Sequence, residues 1–206
     1  MNYVRIKICG ITNEKDAQMA VSMGADALGF IFCESPRQID VKTAKSILEN
    51  IPPFVNRVAV VRNFMEKEVY EIVNQLPIDT IQFHGNENED FCLQFMPLTL
   101  IKAISIESEA SLNQLKEYSK IKHFILDTYS KAGGGSGRTF NWELAILAKK
   151  FGNIILAGGL NPDNIKSAIN KVIPYGVDVS SGVEKSPGIK DPIKLAQFIQ
   201  RVKEGV

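Results

Sequence analysis

Two reactive side chains stand at the ends of short apolar runs, where a buried strand would stop. Cys9 ends the run "VRIKIC" and is followed by Gly10, and Asp127 ends the run "HFILD". A thiolate is a strong base once its pKa falls, and nearby positive charge lowers that pKa. A base and an acid that face each other across one opening suit proton transfer. The residues therefore indicate an acid–base pair, against the alternatives of a small buried Cys9 and an Asp127 that orders a loop.

Lys7 and Asp178 are charged residues inside otherwise apolar runs. Because side chains alternate along a strand, Lys7 shares a face with Cys9, and Asp178 points away from the valines on either side of it. A buried lysine is costly unless it is paired, so Asp178 is the expected counter-ion of Lys7. The pair is either structural alone, or it also tunes a site at the strand ends in which Asp178 is a candidate substrate contact.

Two glycine-containing segments are candidate phosphate loops, because backbone amides exposed near the start of a helix bind an anion without a charged side chain. Their candidate residues are Gly158 and Gly159 in "LAGGLNP" and Ser180, Ser181 and Gly182 in "DVSSG". A third segment, Gly133–Gly137 in "KAGGGSG", is expected either to close over a substrate as a lid or to be a flexible connection.

Two further polar residues also follow apolar runs. Arg37 in "ESPRQ" is suited to bind a carboxylate through a bidentate fork, or else it is a solvated surface arginine. His84 in "IQFHG" is a candidate substrate contact, or else it hydrogen-bonds the loop backbone.

Eight apolar runs, each followed by a segment with helix signals, must position these residues. The predicted strands are Val4–Cys9, Ala27–Phe32, Asn56–Val61, Thr80–Phe83, Leu98–Ile104, His123–Asp127, Ile154–Ala157 and Gly176–Val179. The predicted helices are Glu14–Met23, Val41–Asn50, Met65–Gln75, Glu87–Phe95, Glu109–Glu117, Trp142–Lys150, one opened by Asn161 and Pro162 that ends at about Asn170, and Pro192–Lys203.

A spacing of roughly 25 residues between strands favours parallel βα units. A doubly wound open sheet would usually carry a GxGxxG fingerprint at its first turn, and "CGIT" is not one. We therefore predict an α/β fold of one domain over residues 1–206, a minimal (β/α)8 barrel whose active site lies at the carboxyl ends of the strands.

Composition excludes several other classes. Lys plus Arg number 24 and Asp plus Glu 23, so the net charge of +1 predicts no nucleic-acid or membrane partner. Three cysteines without a CxxC pair argue against a disulfide framework and a structural zinc site, and Cys33 and Cys92 are interpreted as inert. There is no long apolar run and no signal-peptide pattern, which predicts a cytoplasmic protein.

The chain resembles a known family in its motifs and their order. These are "KICGIT", "GADALGFIF", "SPR", "QFHG", "LDT" followed by "GGGSG", "AGGLNPDN" and "GVDVSSGVE". They are typical of phosphoribosylanthranilate isomerase, and the resemblance spans about residues 4 to 192. It implies the tryptophan-biosynthesis step that turns N-(5'-phosphoribosyl)anthranilate into its 1-deoxyribulose form. That Amadori rearrangement is an internal redox reaction without cofactor or metal. The implied partner is this substrate alone, and the chain is a monomer or homodimer.

Matched position by position, the resemblance implies a role for each candidate. Asp127 would protonate the ribose ring oxygen to give a Schiff base, and Cys9 as thiolate would take the C2′ proton. Arg37 would bind the anthranilate carboxylate, and the loops at Gly158–Gly159 and 180–182 would bind the phosphate.

The sequence departs from the family pattern at Val61, Arg62 and Asn141, which puts the fit of the anthranilate ring in question. A sugar-phosphate epimerase or the histidine-pathway isomerase would be expected to place an aspartate at position 9. A catalytically silent barrel has no physical reason to retain both Cys9 and Asp127.

Overall fold

Eight parallel strands hydrogen-bond in chain order, and the last pairs with the first to close a barrel. The computed structural model describes residues 3–128 and 139–205. The strands are β1 Arg5–Cys9, β2 Ala27–Ile31, β3 Asn56–Val61, β4 Thr80–Phe83, β5 Thr99–Ile106, β6 His123–Thr128, β7 Asn153–Leu156 and β8 Gly176–Val179. The prediction of an eight-stranded (β/α)8 barrel is confirmed.

Helices surround the barrel. They are α1 Glu14–Met23, α2 Val41–Leu48, α3 Glu66–Gln75, α4 Glu89–Leu93, α5 Glu143–Ala148, α6 Ile165–Val172 and α7 Pro192–Glu204. A 3₁₀-helix at Glu109–Glu117 follows β5, where the sequence predicts a helix. Within the described residues, no helix is both long and apolar enough to cross a membrane.

The ends of two helices show how local sequence sets the boundaries. The Asn13 side chain accepts the backbone N–H of Asp16 at the start of α1, and Gly24 ends that helix at φ 102°. Helix α6 starts later than predicted. The Asn161 side chain accepts the backbone N–H groups of Asp163 and Asn164, at 2.8 and 3.2 Å, and so forms a turn before the helix.

The apolar core has two parts. The larger one lies between the strands and the helices and includes Ile6, Ile8 and Val61. A smaller one fills the barrel interior and consists of Ile101, Ala103, Ile125, Ile155 and Ala157. Val61 therefore packs on the helix-facing side of β3, so its departure from the family pattern does not alter the barrel interior.

A short antiparallel hairpin between β8 and α7 is absent from the sequence prediction. Its strands are β9 Glu184–Ser186 and β10 Ile189–Lys190. Gly188, at φ 78°, allows the turn between them. The hairpin brings Glu184 and Lys190 to the carboxyl-terminal side of the barrel, beside β1.

Candidate active site

Cys9 lies at the carboxyl end of β1, directly beside Gly29 of β2. A Cβ placed on Gly29 would stand 2.8 Å from Cys9 Sγ and 3.0 Å from Lys7 Nζ, so this glycine makes the space that both side chains occupy. Cys9 is buried, with only 6% of its surface exposed.

The predicted ion pair inside the barrel is confirmed. Lys7 Nζ lies 2.9 Å from Asp178 Oδ1, and the two residues are register partners on β1 and β8. Burial opposes the charge of Lys7, but Asp178 and Cys9 outweigh it and raise the lysine pKa. Burial raises the pKa of Cys9 and Asp178 adds to that effect, while Lys7 and Lys190 lower it. The net effect is a raised pKa for Cys9, which the two lysines limit.

Asp127 lies at the end of β6 with His84 beside it. Burial and the charge of Asp178 raise the pKa of Asp127 to about 6, although the Thr128 backbone N–H donates to Oδ1 at 2.7 Å. His84 Nε2 is 3.8 Å from Asp127 Oδ2. Burial lowers the pKa of His84 to about 4, so the imidazole is neutral near pH 7 and the contact is not an ion pair. Gln82 Nε2 lies 2.9 Å from His84 Nδ1.

The two predicted phosphate loops meet at the same end of the barrel. Gly158 and Gly159 have φ of 81° and 64°, and a Cβ on Gly158 would stand 2.9 Å from Asp127 Oδ1. Gly182 packs against the Leu160 carbonyl so closely that a Cβ there would overlap it. In the part of the chain that the structure describes, the N–H groups of Gly158, Gly159 and Gly182 donate to no protein acceptor. These amides can bind an anion.

Arg37 packs over the end of β1 and forms the expected bidentate fork, but with a carboxylate of its own chain. A Cβ on Gly10 would stand 2.6 Å from Arg37 Cδ and 3.0 Å from Ser180 Oγ, so the bare backbone of Gly10 lets both residues approach Cys9. Arg37 Nε and Nη2 donate to Glu184 at 2.7–3.0 Å. This contact occupies the Nε and Nη2 edge of the guanidinium.

Comparison with known proteins identifies the family. A family model described as N-(5'phosphoribosyl)anthranilate (PRA) isomerase matches residues 6–201. The chain belongs to the PRA isomerase family. It is 48% identical over 201 residues to the N-(5'-phosphoribosyl)anthranilate isomerase of Geotalea uraniireducens, a match that covers 97% of this chain and 98% of that protein.

Solved structures of the family superpose over nearly the whole chain. The phosphoribosyl anthranilate isomerase of Thermotoga maritima is 39% identical with a TM-score of 0.92, covering 98% of this chain and 99% of that one. Another PRA isomerase, solved with reduced 1-(o-carboxyphenylamino)-1-deoxyribulose 5-phosphate, is 37% identical with a TM-score of 0.89 at the same coverage. A third structure shows monomers generated from the dimeric Thermotoga maritima enzyme, at 35% identity, a TM-score of 0.88 and again the same coverage.

Two buried ion pairs were missed by the sequence analysis. Lys190 Nζ is 2.8 Å from Glu184 Oε1 beneath Arg37. Lys102 Nζ is 3.2 Å from Glu87 Oε2 and donates to the Gly85 carbonyl at 2.6 Å, so it supports the loop that carries His84. Lys102 interrupts the apolar run "TLIKAISI" as Lys7 interrupts "VRIKIC", and that signal could have found it.

Several other predictions have separate outcomes. The candidate lid Gly133–Gly137 lies outside the described residues.

The other two departures from the family pattern lie in the described part of the chain. Arg62 is exposed where the chain leaves β3, and Asn141 accepts the backbone N–H of Glu143 at 3.1 Å. Burial raises the pKa of both Cys33 and Cys92, to about 12 for Cys92, and their interpretation as inert thiols stays a prediction. Among residues 3–128 and 139–205, no cluster of side chains has the composition of a metal site.

Proposed function

We propose that this chain converts N-(5'-phosphoribosyl)anthranilate into 1-(2-carboxyphenylamino)-1-deoxyribulose 5-phosphate, in tryptophan biosynthesis, by general acid–base catalysis with Asp127 and Cys9. Family membership supports the reaction. The ligand named for the related complex carries both a carboxyl group and a phosphate, as this substrate does. No electrons leave the substrate in this rearrangement, so the proposal assigns no cofactor.

Asp127 is the proposed acid. It donates its proton to the ribose ring oxygen, the bond from that oxygen to C1′ breaks, and a Schiff base forms between C1′ and the anthranilate nitrogen. A carboxyl group whose pKa is about 6 keeps part of its protons near neutral pH, which an ordinary aspartate does not. His84 is a poor alternative, because a pKa of about 4 leaves it without a proton to give.

Cys9 is the proposed base. As thiolate it takes the proton from C2′, and the resulting enolamine tautomerises to the ketone by moving the hydroxyl proton to C1′. Each turnover then leaves Cys9 protonated and Asp127 ionised, so one proton must pass from the thiol to the carboxylate to reset the pair. Burial raises the pKa of the thiol, and Lys7 opposes that rise and so favours the thiolate form, because its ammonium group lies next to Sγ.

The observation that carries the proposal is this pairing of an acid and a base at one end of the barrel. A carboxyl with a pKa raised to about 6 follows β6, and a thiol beside an ammonium group ends β1. The amides of Gly158, Gly159, Ser181 and Gly182, with the Ser180 hydroxyl, would bind the phosphate. Arg37 would bind the anthranilate carboxylate. Asp178, which lies beside Lys7, would be a further contact of the substrate.

The experiment is a turnover assay with the purified protein. Phosphoribosylanthranilate should lose its anthranilate-type fluorescence at a rate proportional to protein concentration, and inorganic phosphate should inhibit competitively. Protein that binds this substrate without converting it would instead be a silent barrel. Sedimentation velocity on the same sample distinguishes the predicted monomer from the predicted homodimer.

A further inference from the structure

We propose that Glu184 is a positioning residue that orients Arg37 for the carboxylate of the substrate. The inference rests on the proposed function, in which Arg37 binds that carboxylate. Glu184 itself touches no substrate, because its side chain is only 4% exposed and its oxygens are occupied by Arg37 and Lys190.

The contact between the two residues fixes the plane of the guanidinium. Arg37 Nε donates to Glu184 Oε1 at 2.9 Å and to Oε2 at 3.0 Å, and Nη2 donates to Oε2 at 2.7 Å. A guanidinium group that is held by hydrogen bonds along one edge cannot rotate relative to its side chain. Among the described residues no acceptor contacts Nη1, which leaves that side of the guanidinium for a ligand.

Lys190 links the Arg37–Glu184 pair to Cys9, the candidate base. Its Nζ, fully buried, donates to Glu184 Oε1 at 2.8 Å and to the Cys9 carbonyl at 2.6 Å. The position of Arg37 and the position of Cys9 therefore depend on the same carboxylate. A substrate whose carboxylate binds Arg37 is placed at a defined distance from the thiol.

The charges also favour an anion at this place. Two cations, Arg37 and Lys190, share the single carboxylate of Glu184. Asp16 is the other buried carboxylate nearby, but it accepts the backbone N–H of Lys190 and the amide of Asn13 rather than either cation. A buried positive charge without its own counter-ion is costly, and the carboxylate of the substrate would compensate it.

The test is a double-mutant cycle between Glu184→Gln and Arg37→Ala. The readout is the Kd of reduced 1-(o-carboxyphenylamino)-1-deoxyribulose 5-phosphate, an analogue of the product, measured by fluorescence titration. Each single variant should weaken binding about tenfold, since a charge-assisted hydrogen bond to the carboxylate is lost or misdirected. The double variant should bind no worse than Arg37→Ala alone, because Glu184 acts through Arg37.

Asp79→Asn is the matched control. Arg57 and Asp79 form a bidentate pair of the same geometry, at 2.8 Å for both contacts, at the amino-terminal end of the barrel. This variant should leave Kd unchanged. If Glu184→Gln does not fold, as judged by circular dichroism, Glu184→Asp takes its place in the cycle, because the shorter carboxylate cannot reach both guanidinium nitrogens.

The outcomes separate the two proposals. An unchanged Kd in Glu184→Gln, or losses that add fully in the double variant, would overturn the positioning role while leaving the reaction intact. A wild-type protein that does not convert phosphoribosylanthranilate would overturn the proposed function itself.

Discussion

Lys7 Nζ and Asp178 Oδ1 lie 2.9 Å apart, and both charges act on the candidate acid and on the candidate base. Lys7 lowers the pKa of Cys9 and of Asp127, and Asp178 raises both. Burial is the largest cause of both raised pKa values, and the two charges of the ion pair shift both of them further. Changing either charge should move both in one direction.

The first prediction concerns the pH dependence of kcat/KM. The acid must be protonated and the base ionised, so the profile should be a bell with one limb for each group. Asp178→Asn should move both limbs to lower pH, and Lys7→Met should move both to higher pH. The substrate phosphate ionises near pH 6 with every variant. Its effect on the pH profile is therefore the same throughout and does not contribute to the difference between variant and wild type.

The double variant Lys7→Met with Asp178→Asn serves as the control for these shifts. Removing both charges should return the limbs towards their wild-type positions. Limbs that stay fixed in the single variants, or that move apart, would show that the ion pair is structural alone.

Asp127→Asn should lower kcat and raise the free energy of unfolding. The amide cannot deliver a proton, so kcat should fall by at least ~10²-fold at every pH. The folded pKa of about 6 is above the ordinary value of 3.8, so ionised Asp127 destabilises the folded state at neutral pH. Removing it should raise the free energy of unfolding above pH 6 by on the order of 2 kcal/mol.

Urea unfolding at two pH values checks the stability effect of Asp127→Asn. The gain should be full above pH 6 and should vanish below about pH 4, where the aspartate is protonated in both folded and unfolded chains. Equal stability of wild type and variant at pH 7.5 would mean that Asp127 is ionised without penalty. Such an ordinary carboxylate would be a poor general acid.

Gly29→Ala should displace the thiol without altering the barrel topology. The added Cβ would stand 2.8 Å from Cys9 Sγ and 3.0 Å from Lys7 Nζ, closer than side chains approach one another. We expect kcat to fall at least about tenfold, with a smaller change in the Kd of the product analogue. A variant with wild-type kcat would show that the thiol position is not critical for the reaction.

The barrel could be predicted from sequence because its signals are local. The alternation in "VRIKIC" places Lys7 and Cys9 on the inner face, and parallel pairing then places Asp178 beside Lys7. The end of β1, the bounds of α1 and the inward position of Asp178 all follow from residues close together in the chain.

The contact between Lys7 and Asp178 is distant in sequence but follows from closure of the barrel, which pairs the first strand with the last. Distant contacts that no strand pairing fixes could not be predicted in this way. Arg37 and Glu184 are 147 positions apart, and nothing near either residue indicates the other. The burial of Cys9 is of the same kind. It depends on Gly29 of the next strand and on the hairpin that carries Lys190.

The measurement that tests the central assignment most directly is turnover of phosphoribosylanthranilate by Cys9→Ser, with Cys33→Ser as the matched control. A hydroxyl is far too weak a base at neutral pH, so Cys9→Ser should lose at least ~10²-fold in kcat while its Kd for the product analogue stays near that of the wild type. Cys33→Ser should keep wild-type kcat. If Cys9→Ser retained more than about a tenth of the wild-type kcat, Cys9 would not be the base that takes the C2′ proton.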